Sequence, residues 1–167
     1  MRLTQFLNEA GESIIYLDMD GVLTDFVAGF EKIDGRKTTE IEKQGDPAFW
    51  AHVKQGGLEF WSKMPWMNDG KRLWNYVRKF NVEILSAPAR SLPESVKGKH
   101  IWVSREMGNV KINLIRAREK QKFASKSAIL IDDKKKNVTR WNAAGGTGIW
   151  HISANNTIKE LKKLGVE

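Results

Sequence analysis

Five short apolar runs punctuate the chain: "SIIYL" (13–17), "VEIL" (82–85), "KINLI" (111–115), "AILI" (128–131) and "GIWHI" (148–152). Several are apolar on both faces, which predicts strands buried in a sheet covered on both sides. Between them the spacing of apolar residues becomes helical. Leu73, Val77 and Phe80 follow Asn68 and Asp69; Leu92, Val96 and Val103 lead to Gly108; Val138, Trp141 and Ala144 run into Gly145-Gly146. A last helix is predicted through Ile158, Leu161 and Leu164, with Thr157 and Glu160 spaced as a capping box. Strand and helix in alternation imply right-handed crossovers, hence an α/β fold with a Rossmann-like, doubly wound parallel sheet.

One stretch breaks the alternation. Between Asp25 and about Phe60 no strand pattern occurs. Phe26, Phe30 and Ile33 predict one helix, and Asp46-Pro47 opens another that should stop near Gly56-Gly57. Residues 26–61 therefore read as a small helical cap inserted after the first strand, with 1–25 and 62–167 forming the core. Residues 1–10 suggest a short amphipathic helix through Leu3, Phe6, Leu7 and Ala10. No internal repeat or low-complexity linker divides the chain, and 167 residues suit one domain with a modest insertion.

Charge and composition narrow the function classes. Lys plus Arg is 28 against 20 acids, a formal charge of +8 and a pI of about 9.7. Such a balance favours anionic partners, phosphates or nucleic acid, although solubility alone would account for it. The absence of Cys excludes disulfide and thiol chemistry. The start, "MRLTQFLNEAGE", has no signal-peptide core, and no apolar run reaches membrane-spanning length. The expectation is a cytoplasmic protein with no membrane partner, monomeric or a homodimer.

In an open parallel sheet, ligands gather beyond the carboxyl ends of the strands. Those ends carry Asp18-Met19-Asp20-Gly21, Ser86-Ala87-Pro88 and Asp132-Asp133. Each alone has an ordinary explanation: Asp-x-Asp-Gly as a turn, Asp132-Asp133 as a helix cap, Ser86 as nothing in particular. Together they converge on one crevice if the strands are neighbours. Oxygen ligands without Cys or spaced His suit Mg²⁺. Lys120, Lys122 and Lys126 precede the acidic pair, and any of them could neutralise a phosphate. Trp50, Trp61 and Trp66, among seven Trp, lie in or near the insertion, where ring faces could stack on a base or simply pack.

At these residues the chain resembles the haloacid dehalogenase superfamily of phosphatases: "DMDGVLTDF" is similar to its first motif, "ILSAP" to its second and "AILIDD" to its fourth. Val22, "FW" (49–50), "EFW" (59–61) and "SAP" resemble the 5′(3′)-deoxyribonucleotidases within it. The resemblance implies a Mg²⁺-dependent phosphomonoesterase acting on (deoxy)nucleoside monophosphates through an aspartyl-phosphate. Asp18 would be the nucleophile and Asp20 the acid and base, with Mg²⁺ on Asp18, the Asp20 backbone carbonyl and Asp132, and Asp133 in support. Ser86 and a lysine would bind the phosphate. The nucleotidase pattern sets that lysine ten positions before the first acid of the pair, which selects Lys122 and keeps Lys120 in reserve. Phe49 and Trp61 would contact the base. A polynucleotide 3′-phosphatase fits the same chemistry. A non-catalytic nucleic-acid-binding or regulatory protein is a further alternative, against which the intact Asp18, Asp20 and Asp132 argue.

Overall fold

A computed structural model describes residues 13–89 and 92–167; the helix expected over residues 1–10 lies outside them. Five strands, β1 (Ile14–Leu17), β2 (Asn81–Ser86), β3 (Ile112–Leu114), β4 (Ala128–Asp132) and β5 (Thr147–Trp150), form one sheet in the order β3-β2-β1-β4-β5. All four pairings are parallel, so the doubly wound α/β reading holds. Alternation along the strands makes two apolar layers. Ile15, Leu17, Ile84, Ile129 and Ile131 join the larger core, while Tyr16, Leu85, Leu130 and Trp141 pack on the opposite face.

The helices are α1 (Phe26–Glu31), α2 (Thr38–Glu42), α3 (Asp46–Ser62), α4 (Gly70–Val77), α5 (Pro93–Met107), α6 (Lys135–Ala143) and α7 (Ala154–Lys163), with a 3₁₀ helix over Ala117–Phe123. Three helices, not two, fill the stretch after β1. The short α2 has one buried residue, Ile41, too little to leave a periodic trace in sequence. The stop expected near Gly56-Gly57 is present as a break inside α3: Gly57 takes the non-helical angles φ 54°, ψ −150°, and a second helical piece runs on from the kink to Ser62. The expected cap of α7 also moves. Ser153 is the N-cap, its hydroxyl accepting from Asn156 N at 3.2 Å. Thr157 is buried inside the helix, its hydroxyl 2.8 Å from Nδ1 of His151.

Helix α5 crosses the end of α3 so closely that a Cβ on Gly98 would lie 2.2 Å from the Trp61 Cβ; only glycine fits. That crossing turns Ser95, Gly98, Lys99, Trp102 and Val103 inward, whereas Val96, part of the apolar stripe expected for this helix, is exposed.

Candidate active site

The chain leaves β1 to its β2 neighbour on one side and returns to β4 on the other, so the ends of β1 and β4 bound the crevice where ligands bind in such sheets. Leu17 pairs with Ile84 and with Ile131, and Asp18 N donates to Ile131 O at 3.0 Å. Asp18, Ser86 and Asp132 are thereby brought to the carboxyl ends of three adjacent strands. A tight turn follows β1: Met19 O accepts from the backbone N–H groups of Val22, Leu23 and Thr24. Gly21, at φ +84°, allows it, and a Cβ there would meet Asp133 Oδ2 at 2.5 Å. The same glycine therefore shapes the turn and admits the second acid of β4's pair.

Asp18 is buried, with Oδ1 accepting from Met19 N at 2.9 Å and lying 3.0 Å from Lys120 Nζ. Burial pushes its carboxyl up to about 6. Lys120 opposes that rise, Asp132 and Asp20 add to it, and Lys99 opposes it. Lys120, only 2% exposed, also donates to Asp132 Oδ2 at 2.7 Å. Burial pulls its ammonium down, yet Asp18 and Asp132 together hold it above the ordinary lysine range.

Lys122, the lysine expected here, points elsewhere. Its side chain is 64% exposed and paired with Glu119 at 2.6 Å. The cause is the 3₁₀ helix that carries both: with three residues per turn, a shift of two positions rotates a side chain by about 240°. Only one of the two lysines can face the crevice, and Lys120 does.

The acidic pair also divides its work. Both oxygens of Asp132 are taken, Oδ1 by Lys134 N (2.8 Å) and Asn137 Nδ2 (3.1 Å), Oδ2 by Lys120 and Asn137 (3.0 Å). Asp132 thus ties down the chain just before α6 without capping the helix, whose N-cap is Lys134. Asp133 Oδ2 meets Lys134 Nζ at 3.0 Å, but its Oδ1 is buried with no hydrogen-bond partner among the described residues. Asp18, Asp132 and Asp133 each offer one oxygen within 4.8 Å of the others. An orphaned carboxylate oxygen beside two more carboxylates is the donor set a hard divalent cation takes. The hydrogen bonding favours Asp133 over Asp132 as the open ligand, the reverse of the division that the family resemblance implies.

Asp20 and Ser86 meet through Lys99, a residue that no sequence motif marks. Lys99, 1% exposed, donates to Asp20 Oδ2 at 2.6 Å and to Ser86 Oγ at 3.0 Å. Thr24 Oγ1 donates to Asp20 Oδ1 at 2.8 Å. The available signal was a lysine interrupting the helical series Ser95, Lys99, Trp102 and Val103. Trp61 is buried, with its ring centroid 5.6 Å from Lys99 Nζ. Phe49 is half-buried and stacks on Phe30 at 5.0 Å and Phe26 at 6.0 Å. Both belong to one aromatic cluster around Phe26.

Residues 12–164 match the family model described as 5′ nucleotidase, deoxy (Pyrimidine), cytosolic type C protein. The chain belongs to this family. It is a phosphate monoester hydrolase of the 5′-nucleotidase type with the haloacid dehalogenase fold. A Vibrio phage KVP40 protein named "Putative 5'(3')-deoxyribonucleotidase" is 30% identical over 128 residues, 74% of this chain and 68% of that protein. Among solved structures, a haloacid dehalogenase-like hydrolase from Xanthomonas campestris superposes with a TM-score of 0.58 at 10% identity, covering 92% of this chain and 91% of that one. The HAD-hydrolase YfnB of Bacillus subtilis, solved bound to magnesium, gives 0.55 at 10% identity over 84% and 87%. At such identities these two likenesses bear on the fold alone. Among the described residues of the phosphatase, no helix is long and apolar enough to cross a membrane.

Proposed function

We propose that the phosphatase hydrolyses deoxynucleoside monophosphates by way of an aspartyl-phosphate on Asp18, with Mg²⁺ held by Asp18, Asp133 and the backbone carbonyl of Asp20. The observation that carries the reading is the buried Asp18 carboxylate, 3.0 Å from Lys120 Nζ and grouped with Asp132 and Asp133 so that one oxygen from each lies within 4.8 Å of the others. A bound magnesium ion supplies positive charge that offsets the repulsion between carboxylate and phosphate. Asp18 attacks phosphorus as the bond to the ester oxygen breaks, and Asp20 gives that oxygen a proton. Asp20 then takes a proton from water, whose oxygen attacks phosphorus and frees Asp18 and inorganic phosphate. Ser86 and Lys120 hold the phosphate oxygens.

The helices over residues 26–61 form the cap that covers the substrate. Phe49, half-buried, has a ring available to a base. Trp61, enclosed and set over Lys99, supports the site from beneath instead. Phosphate release from a panel of deoxy- and ribonucleoside monophosphates, beside a 3′-phosphorylated oligonucleotide, tests the assignment in Mg²⁺ and in chelator. Deoxynucleotides should be cleaved fastest, only with Mg²⁺, and with a shallow salt dependence, because one phosphate displaces few counterions. Preference for the oligonucleotide with steep salt sensitivity would replace this reading with end processing.

A further inference from the structure

We infer that Lys99 is a positioning residue for the reaction, fixing Asp20 and Ser86 from behind without touching substrate. An ammonium has three N–H donors and no acceptor. Two of those donors meet Asp20 Oδ2 at 2.6 Å and Ser86 Oγ at 3.0 Å. The Trp61 ring lies 5.6 Å from the same nitrogen, within reach of a cation–π contact. The side chain is 1% exposed. Its position is set by the α3–α5 crossing that Gly98 permits.

Donor chemistry has two consequences here. Ser86 Oγ must accept from Lys99, so its own hydroxyl proton points away from Lys99, toward the strand-end crevice where a phosphate oxygen would accept it. Asp20 Oδ2 is occupied by the ammonium while Thr24 Oγ1 reaches Oδ1 at 2.8 Å. The carboxyl is thus clamped from two sides, Oδ2 by the ammonium and Oδ1 by the neutral hydroxyl. One lysine from α5 aligns the proton donor to the leaving group and the hydroxyl donor to the phosphate, and ties both to an aromatic ring of α3.

The inference rests on the proposed phosphatase reaction, and a double-mutant cycle tests it. In an otherwise unchanged enzyme, Lys99→Met should lower kcat on a deoxynucleoside monophosphate by about 10²-fold, with KM within about twofold, and lower kcat on an activated aryl phosphate by only about tenfold. The aryl leaving group needs little protonation and so depends less on a well-held Asp20. In an Asp20→Asn background the same change should cost less than about fivefold, because most of its effect passes through the carboxyl already lost. Near-UV circular dichroism checks the fold; should Lys99→Met fail to fold, Lys99→Gln, which removes the charge and places its amide about one bond short of the ammonium's position, carries the same cycle. Losses equal on both substrates and multiplying in full with Asp20→Asn would overturn the positioning role while leaving the phosphatase reading intact. A parent protein inert toward every phosphomonoester would overturn both.

Discussion

Replacing Asp18 with Asn should abolish turnover yet make the metal-free protein more stable at neutral pH. In the folded chain the Asp18 carboxyl is raised from 3.8 to about 6, chiefly by burial, so the folded protein holds that proton about 3 kcal/mol more tightly than the unfolded chain does. For an acid whose folded value is raised, the associated stability is present below the unfolded value. It is lost as pH climbs through the folded one. Between about pH 4 and pH 6 the parent therefore loses roughly 3 kcal/mol that a neutral amide does not lose. An amide is a poorer partner for Lys120, 3.0 Å away, which takes back about 1 kcal/mol. The net gain of about 2 kcal/mol should raise Tm by about 4–8 °C for a chain of this size. Thermal unfolding in chelator at pH 7.5 and pH 4.5 measures it: the difference should be large at the first and vanish at the second, and Mg²⁺ should stabilise the parent more than the variant. A variant no more stable than the parent at pH 7.5 would mean that the attraction of Lys120 outweighs burial and the neighbouring carboxylates, and the argument would fail.

Lys120→Ala should destabilise the fold by about 3–5 kcal/mol, since it strands Asp18 and Asp132 in the interior, and should cut turnover by about 10²-fold or more. Lys122→Ala should stay within about 0.5 kcal/mol in denaturant titration and keep its activity. Asp133→Asn should raise the Mg²⁺ concentration needed for half-maximal activity by about tenfold or more with little change in metal-free Tm, whereas Asp132→Asn should lower that Tm by loosening Lys120 and Asn137. The opposite pattern would return the open coordination position to Asp132. Gly21→Ala should cost about 1–3 kcal/mol from its φ of +84° and weaken Mg²⁺ binding further, because the added methyl collides with Asp133; a Mg²⁺ response unchanged from the parent would separate the turn from the metal site.

The acids were legible in the sequence because each directly follows a strand. An apolar run locates the strand, parallel pairing aligns the ends, and Asp18, Ser86 and Asp132 then fall together with no knowledge of the helices. The lysines were not legible, because each is delivered by an element whose rotation the pattern leaves open. Lys120 and Lys122 differ by two positions on a 3₁₀ helix that has no apolar period to reveal it. Lys99 sits on a face of α5 whose orientation depends on Gly98 meeting Trp61, a contact between segments far apart in the chain. In α3 the glycine pair does mark a break, at Gly57; what the pattern did not show is the second helical piece beyond it, which tertiary packing of Phe60 and Trp61 holds in place.

Distribution of charge explains why so many carboxylates tolerate one another. Asp18 and Asp132 share Lys120, Asp20 has Lys99, and Asp133 has Lys134, so four acids face three lysines and the ionised cluster is left with one excess negative charge. That remainder is small enough to fold around, yet it repels a phosphate dianion. A single divalent cation at the Asp133 oxygen reverses the sign, leaving one positive charge to receive the phosphate. Each lysine also holds its acid in place, so an arriving substrate meets groups that need not reorganise. The carboxylates at the strand ends are therefore sustained mainly by cations that the chain itself supplies, Lys99, Lys120 and Lys134, and the metal's two units of charge turn the remaining negative charge into a positive one.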